Sequence, residues 1–323
     1  MTTPLDAMGG SHLIVTGGTG FVGSAFVRHV IARGANVTLV CRASADHWRL
    51  AEVAGKYDRF TADLDALATL GVSLPANTVM VHCAAAGVNQ SSDDLADMVA
   101  TNVAGTANAL AFAKRTGVSR FVLVGSSGEY GPGVGLLEDA PLRPTSEYGA
   151  TRASATMIAQ AFGARRGLDV VVVRPFAVFG QFEAAYRLIP HAILSALRGE
   201  PIRISSGHQT RDYVHVDNVS IGIARACVAP EARNGVFNLC TGIETTVLDA
   251  ATIVANLVGS QGGVEAGAMP PIPGEMWRTS GDPAHARSVL GWEPALDFSA
   301  GLARTVEWFR QTGRSLPAYA QRH

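Results

Sequence analysis

Lysine is nearly missing from this chain: of its 26 basic residues only Lys56 and Lys114 are lysine, and the rest are arginine. Such a bias suggests a GC-rich genome, and it matters wherever the chemistry would ordinarily use a lysine. Cysteine is also scarce. Cys41, Cys83, Cys227 and Cys240 stand alone in no metal-ligand spacing, so reduced structural thiols are expected and no metal site is. Neither charge predominates, with 26 basic against 27 acidic residues and a net charge of -1, which excludes a general attraction to nucleic acid or to anionic membranes. The N-terminal stretch carries Asp6 and no apolar core, so it does not read as a secretory signal. No apolar run is long enough to span a bilayer, and the expected compartment is the cytoplasm. Repeats and low-complexity tracts are lacking too.

What is present is a chain of 323 residues, 47% of them hydrophobic, enough for one large core or a core with an appended lobe. Its most informative stretch is Thr16-Gly-Gly-Thr-Gly-Phe-Val-Gly23. An apolar run, His12 to Val15, precedes it and an amphipathic segment, Phe21 to Ala32, follows it, which gives strand, tight turn and helix. Gly17 allows the sharp turn, Gly20 lets a pyrophosphate approach the backbone, and Gly23 lets the helix pack closely on the strand. Three glycines also suit an ordinary loop; the flanking elements favour a dinucleotide cradle.

Further strand-length apolar runs are Asn36 to Cys41, Thr78 to Cys83, Arg120 to Val124 and Asp169 to Arg174, alternating with helix-length amphipathic segments. Continuous rather than alternating apolar residues fit strands covered on both faces. The expected fold is therefore α/β, a Rossmann-type doubly wound parallel sheet with a smaller C-terminal substrate-binding lobe. Residues 1–179 would form the dinucleotide-binding domain, with 214–241 returning to it, and 180–213 with 242–323 the substrate lobe. Within the lobe, a helix over Arg187 to Arg198, a strand over Pro201 to Ser205 and a loop over Gly259 to Gly274 are expected. Trp277, Trp292 and Trp308 read as core residues.

At the end of the second strand, the acidic residue that would bind both ribose hydroxyls of NAD is missing. Cys41 stands there, followed by Arg42, whose guanidinium can hold a 2′-phosphate; the reading leans to NADP(H), although Arg42 also suits a solvent-facing position. Asp63 follows a weaker strand, Tyr57 to Thr61, at a place suited to the adenine. His82-Cys-Ala-Ala-Ala-Gly87 supplies small residues where a cofactor passes close to the backbone, with His82 itself reading as a packing residue. The helix from about Asp94 to Lys114 has a face of small residues around Asn102, which would suit close packing or a hydrogen bond to a strand end.

The fifth strand runs into Gly125-Ser-Ser-Gly-Glu-Tyr-Gly131, and 22 residues after Ser126 comes Tyr148-Gly-Ala-Thr-Arg152 at the start of a helical stretch. A tyrosine and a cation four apart share one helix face, so the charge can favour proton exchange by the phenol. A serine hydroxyl at the neighbouring strand end can orient a substrate oxygen.

At this point the chain resembles the extended short-chain dehydrogenases/reductases, in their nucleotide-sugar branch (the NAD-dependent epimerase/dehydratase family). The resemblance covers nearly the whole chain. Thr16 to Gly23 matches the glycine-rich turn, Ser126 falls on the catalytic Ser/Thr and Tyr148 on the catalytic tyrosine. Arg174-Pro-Phe-Ala-Val-Phe-Gly180 and Arg211-Asp-Tyr-Val-His-Val-Asp217 resemble two further family runs, for nicotinamide and substrate contacts and for the substrate diphosphate. Asp282 to Trp292 resembles the closing segment. The resemblance implies Ser126, Tyr148 and Arg152 as catalytic residues. It implies Gly17, Gly20, Phe21, Val22, Gly23, Arg42, Asp63, Leu64, Ala84, Ala85, Tyr148, Arg152 and Pro175 as cofactor contacts. For the substrate it implies Ser127, Gly128, Ala177, Arg211, Glu275 and Arg278.

Four departures accompany the match. Arg152 stands where the family has lysine, and a planar guanidinium is no neutral exchange for an ammonium. Ser127 and Gly128 occupy the places of the Asp-Glu pair with which the family's dehydratases eliminate water. Ala177 replaces an asparagine. Ile272-Pro-Gly-Glu275 replaces an Arg-x-Gly-Asp run, with Arg278 nearby as a substitute. The leading expectation is an NADP(H)-dependent 4-ketoreductase acting on a nucleotide sugar, with Tyr148 as proton donor. An NAD-dependent 4-epimerase is the close alternative, and a dinucleotide-binding protein impaired at Arg152 is the third. Homodimerisation through the helices near Asp94 to Lys114 and Glu147 to Arg165 is expected by analogy.

Overall fold

The computed structural model describes residues 8–87, 94–270, 276–316 and 319. Along the first half the chain runs β1 (His12–Thr16), α1 (Phe21–Ile31), β2 (Asn36–Cys41), β3 (Asp58–Thr61), β4 (Val79–His82), α2 (Leu95–Met98), α3 (Gly105–Arg115) and β5 (Arg120–Val124). It continues through α4 (Glu147–Arg166), β6 (Asp169–Pro175), α5 (Leu188–Leu197), α6 (Val216–Val228), β7 (Val236–Leu239), α7 (Val247–Val258), α8 (Ala284–Leu290) and α9 (Phe298–Gln311).

The seven strands form one parallel sheet in the order β7-β6-β5-β4-β1-β2-β3. Successive residues of each apolar run enter opposite layers, as strand geometry demands. Leu13, Val15, Val122, Val124, Val171 and Val173 join the layer that includes α1 and α6, while Ile14, Phe121, Leu123, Val170 and Val172 join the layer that includes α3 and α4. The chain leaves β1 towards β2 on one side and reaches β4 on the other, so the strand order reverses between β1 and β4. Ligand clefts of doubly wound sheets open at that reversal.

Local signals set the helix ends. The Ser146 hydroxyl accepts the Gly149 N–H at the start of α4, and Gly167, at φ +66°, ends it in the left-handed conformation. Thr246 caps α7 in the same way, and Gly259 ends it at φ +77°. The helix expected from Asp94 onward is broken into α2, a π-helical turn over Val99–Ala104, and α3. Asn102 lies in that turn and is fully buried.

A second core gathers α5, α7 and α9 around Ile193, Ala251, Val254, Leu302 and Phe309. Beside it the expected strand over Pro201 to Ser205 contracts to Ile202–Arg203, paired with Val264–Glu265 inside the stretch expected to be loop. Trp292 and Trp308 pack into the cores, but Trp277 is 59% exposed, which corrects the expectation that all three are core residues. Short strands join the sheet end to this lobe. Gly133–Leu136 pairs with Thr279–Gly281 and Thr210–Arg211 with Thr245–Thr246, and Thr210 and Asp212 donate their N–H groups to Trp277 O at 2.8 Å and Thr279 O at 3.0 Å.

Candidate active site

Beyond the carboxyl end of β1 the backbone closes on itself at the glycine turn. Gly17 has φ +68°, and a Cβ there would lie 2.4 Å from Ala84 N; a Cβ on Gly23 would lie 2.2 Å from Gly17 O. Neither position tolerates a side chain, so the turn, α1 and the end of β4 are locked together. At Gly20 a Cβ would meet only Gly17 O, at 3.2 Å, within 4 Å, and space there is open to a ligand. Gly20 is also the N-cap of α1, and no side chain caps the helix, which leaves first-turn amides and the positive helix end for an anion. Phe21 and Val22, half-buried, complete that turn. The residues therefore fit a dinucleotide pyrophosphate.

Beneath the turn lies His82, fully buried between the Thr16 hydroxyl at 2.6 Å and the Thr106 hydroxyl at 3.1 Å. Burial first, and the nearby Arg152 charge second, push its pKa down to about 3, so the ring is neutral and acts in packing, as expected from sequence. The Asn102 carboxamide accepts the Ala86 N–H at 2.8 Å and donates to Ala86 O at 3.0 Å and to the Thr151 hydroxyl at 2.9 Å. It ties the end of β4, with the small residues Ala84 and Ala85, to the first turns of α4.

Ser126 ends the run from β5 and caps a 3-10 turn, Ser127–Glu129, with its Oγ accepting the Gly128 N–H at 3.1 Å. A Cβ on Gly149 would lie 2.4 Å from Gly128 O, so α4 approaches this turn backbone to backbone. That contact brings Tyr148, half-buried in the first turn of α4, to Gly128, with its Cδ1 3.9 Å from where a Cβ on Gly128 would lie. One helical turn on, Arg152 is 1% exposed and points inward. Its Nη2 donates to Val124 O and its Nη1 to Ala84 O at 3.4 Å, while Nε–H meets no acceptor. The cation thus spans the ends of β4 and β5 without a carboxylate among the described residues.

The remaining expected cofactor contacts lie around this floor. Arg42 is exposed just beyond β2. Asp63 is exposed, with Oδ1 accepting the N–H of half-buried Leu64 at 2.7 Å, and Pro175 is buried as the last residue of β6.

Of the residues expected to meet substrate, Ala177 is half-buried and donates its N–H to Asp212 O at 2.9 Å. Arg211, half-buried, donates from Nη1 to Thr210 O at 2.8 Å and to Met276 O at 2.6 Å. Arg278 is exposed and ion-paired with Glu244, whose pKa is lowered by the hydrogen bonds from Arg278 and Thr210. Glu275 lies outside the described residues. Sequence reasoning missed Asp212, which is 1% exposed. Its carboxylate accepts from Thr241 N and Oγ1 at 2.8 and 2.6 Å, from Gly242 N at 2.9 Å and from Gly281 N at 3.3 Å. Burial raises its pKa against those bonds. Its position in the Arg211–Asp217 run was the only signal available. The active-site run likewise hid the partner of Arg174, which is Glu129, at 2.8 Å.

The model of the NAD dependent epimerase/dehydratase family matches residues 13–240. The UDP-glucose 4-epimerase of Mycolicibacterium smegmatis is 33% identical over 316 residues, covering 92% of this chain and 98% of that protein. Among solved structures, the Thermotoga maritima UDP-glucose 4-epimerase with UDP-glucose has a TM-score of 0.84 and 29% identity, over 93% of this chain and 99% of that one. A double mutant of the Streptomyces venezuelae dTDP-glucose 4,6-dehydratase DesIV, with NAD bound, gives the same TM-score of 0.84 and 29% identity, covering 93% and 97%.

Proposed function

The chain belongs to the NAD dependent epimerase/dehydratase family and is an enzyme of that nucleotide-sugar class, and from that premise we propose that it performs redox chemistry at C4 of a nucleotide sugar without eliminating water, as a 4-epimerase. The observation that carries this reading is the state of the carboxylates beside Ser126 and Tyr148. Ser127 and Gly128 stand where the family's dehydratases have their Asp-Glu pair, and Glu129, one place later, is fully buried in an ion pair with Arg174. Elimination needs a group to take the C5 proton and one to protonate the leaving hydroxyl. Among the described residues of this turn, no carboxylate is free for either task.

A bound nicotinamide would supply hydride uptake from C4 and its return. The glycine turn and the amides of α1 hold the pyrophosphate. The Tyr148 hydroxyl takes and returns the proton on the sugar oxygen, Ser126 Oγ aligns that oxygen, and Arg152 places a positive charge beneath both. Arg211 and Arg278 receive the diphosphate, the latter by exchanging Glu244 for phosphate.

A second reading is the NADP(H)-dependent 4-ketoreductase, favoured by exposed Arg42 beyond β2, where no acidic residue stands. Homodimerisation is part of the proposal: Leu95, Val99 and Met157 are 51%, 43% and 54% exposed on α2, the π turn and α4, an apolar surface that a second copy would cover. Mass spectrometry of the dinucleotide that co-purifies, followed by assay of UDP- and dTDP-hexoses with and without added NADPH, separates the readings. Retained NAD with interconversion of 4-epimers supports the epimerase. An empty site with NADPH-dependent reduction of a 4-keto sugar moves the assignment to the ketoreductase, and release of water refutes both.

A further inference from the structure

The groups packed behind Ser126 take no part in the chemistry outlined above, yet they form a buried, hydrogen-bonded polar cluster beside it. Glu129 Oε1 accepts the Ser126 N–H at 2.9 Å and Oε2 accepts the Arg174 Nε–H at 2.8 Å. Side-chain exposures of 3% for Arg174 and 0% for Glu129 place the pair out of water. Arg174 Nη1 also donates to the Tyr130 hydroxyl at 2.7 Å and to Glu138 O at 3.1 Å, and Tyr130 donates in turn to Asn238 Oδ1 at 2.8 Å. Room for the carboxylate exists because residue 125 is glycine: a Cβ there would lie 2.4 Å from Glu129 Oε1.

Burying an ion pair is a poor way to gain stability, because an apolar pair of similar volume does as well or better. What a charged, fully bonded pair adds is direction. Glu129 closes a reciprocal box with Ser126, in which the side chain of each accepts a backbone N–H of the turn. We propose that Glu129, held by Arg174, is a positioning residue for Ser126 that fixes the direction in which the serine hydroxyl leaves the end of β5. This rests on the reading that Ser126 aligns the sugar oxygen. A displaced hydroxyl still binds sugar but no longer meets the developing charge, so the loss falls on kcat rather than on KM.

The test is a mutant cycle in the full-length protein, assayed with UDP-glucose or whichever hexose of the panel above the wild type accepts. Circular dichroism and NADH titration verify that each variant folds and binds dinucleotide. Glu129→Leu is expected to lower kcat about 30-fold with KM within about twofold, and Ser126→Ala about 100-fold. Combining them should cost no more than about twofold beyond Ser126→Ala alone, because Glu129 acts through the serine. Glu129→Gln, which keeps the acceptor for the Ser126 amide, is expected to stay within about fivefold of wild type. Should Glu129→Leu fail to fold, Glu129→Leu/Arg174→Leu, which removes both charges, replaces it in the cycle. Multiplying effects in the double variant, or a kcat loss in Glu129→Gln as large as in Glu129→Leu, would overturn the positioning role while leaving Ser126 in place. An undiminished kcat in Ser126→Ala would instead defeat the reading of Ser126, and the proposal with it.

Discussion

Arg174, behind Ser126, and Arg152, behind Tyr148, are 2% and 1% exposed, but the protein has finished only one of them. Arg174 meets a carboxylate, a phenol and a carbonyl, and Glu129 raises its pKa above the ordinary value despite the opposing effect of burial. Among the described residues Arg152 meets two carbonyls and no carboxylate, and its Nε–H has no acceptor. Desolvating a cation that has so few partners costs free energy. One arginine is thus satisfied within the scaffold, while the other keeps a donor unused among the described residues.

That contrast is broken most directly on the Arg174 side. Arg174→Met leaves Glu129 charged and alone, and a loss of about 3–5 kcal/mol in denaturant unfolding is expected. Glu129→Leu/Arg174→Leu should recover to within about 1 kcal/mol of wild type, because both desolvated charges are gone. A loss below about 1 kcal/mol in Arg174→Met would mean that the pair is not what holds the turn.

On the Arg152 side the order of effects reverses. Arg152→Met removes two hydrogen bonds together with an uncompensated buried charge, so stability without cofactor should change by only about 1 kcal/mol. Affinity for NADH in calorimetric titration should fall about tenfold, as expected for a lost charge-assisted contact. Equal losses in both measurements would make Arg152 another scaffold residue.

The effect that vanishes at neutral pH is the pH dependence itself. His82 is neutral in the folded protein because burial, and then Arg152, hold its pKa near 3, whereas unfolded histidine titrates at about 6.5. Its contribution is complete above about pH 6.5 and is lost as pH falls towards 3, at no more than about 1.4 kcal/mol per pH unit. Unfolding free energies at descending pH should show that slope in the wild type. His82→Gln should lack it, and Arg152→Met should reduce it only in part, since burial is the larger cause.

Of the fold, the sheet strands were legible almost residue for residue: Arg120 to Val124 is β5 and Asn36 to Cys41 is β2. Continuous apolar runs leave little freedom when both faces must be covered. The region around the second core was read less well. Its strands are two or three residues long, as at Ile202–Arg203, and pair with distant segments, which no local pattern announces. Trp277 was misread because hydrophobicity describes a side chain, whereas its exposure depends on the ribbon in which it lies. Ser126 follows β5 and Tyr148 and Arg152 open α4, as their order and spacing suggest; what Arg152 touches was not legible.

Sequence alone therefore determined the doubly wound sheet, the glycine turn at its switch point and the set of residues brought to that edge, since periodicity and glycine act within a few neighbours of one strand or turn. Tertiary structure decided which polar groups remain available there. Glu129 is consumed by Arg174 across 45 residues of chain, and Asn102 by Thr151 across 49. A buried polar group takes whichever partner folding places beside it, and that choice is made by packing across the sheet rather than by the local sequence.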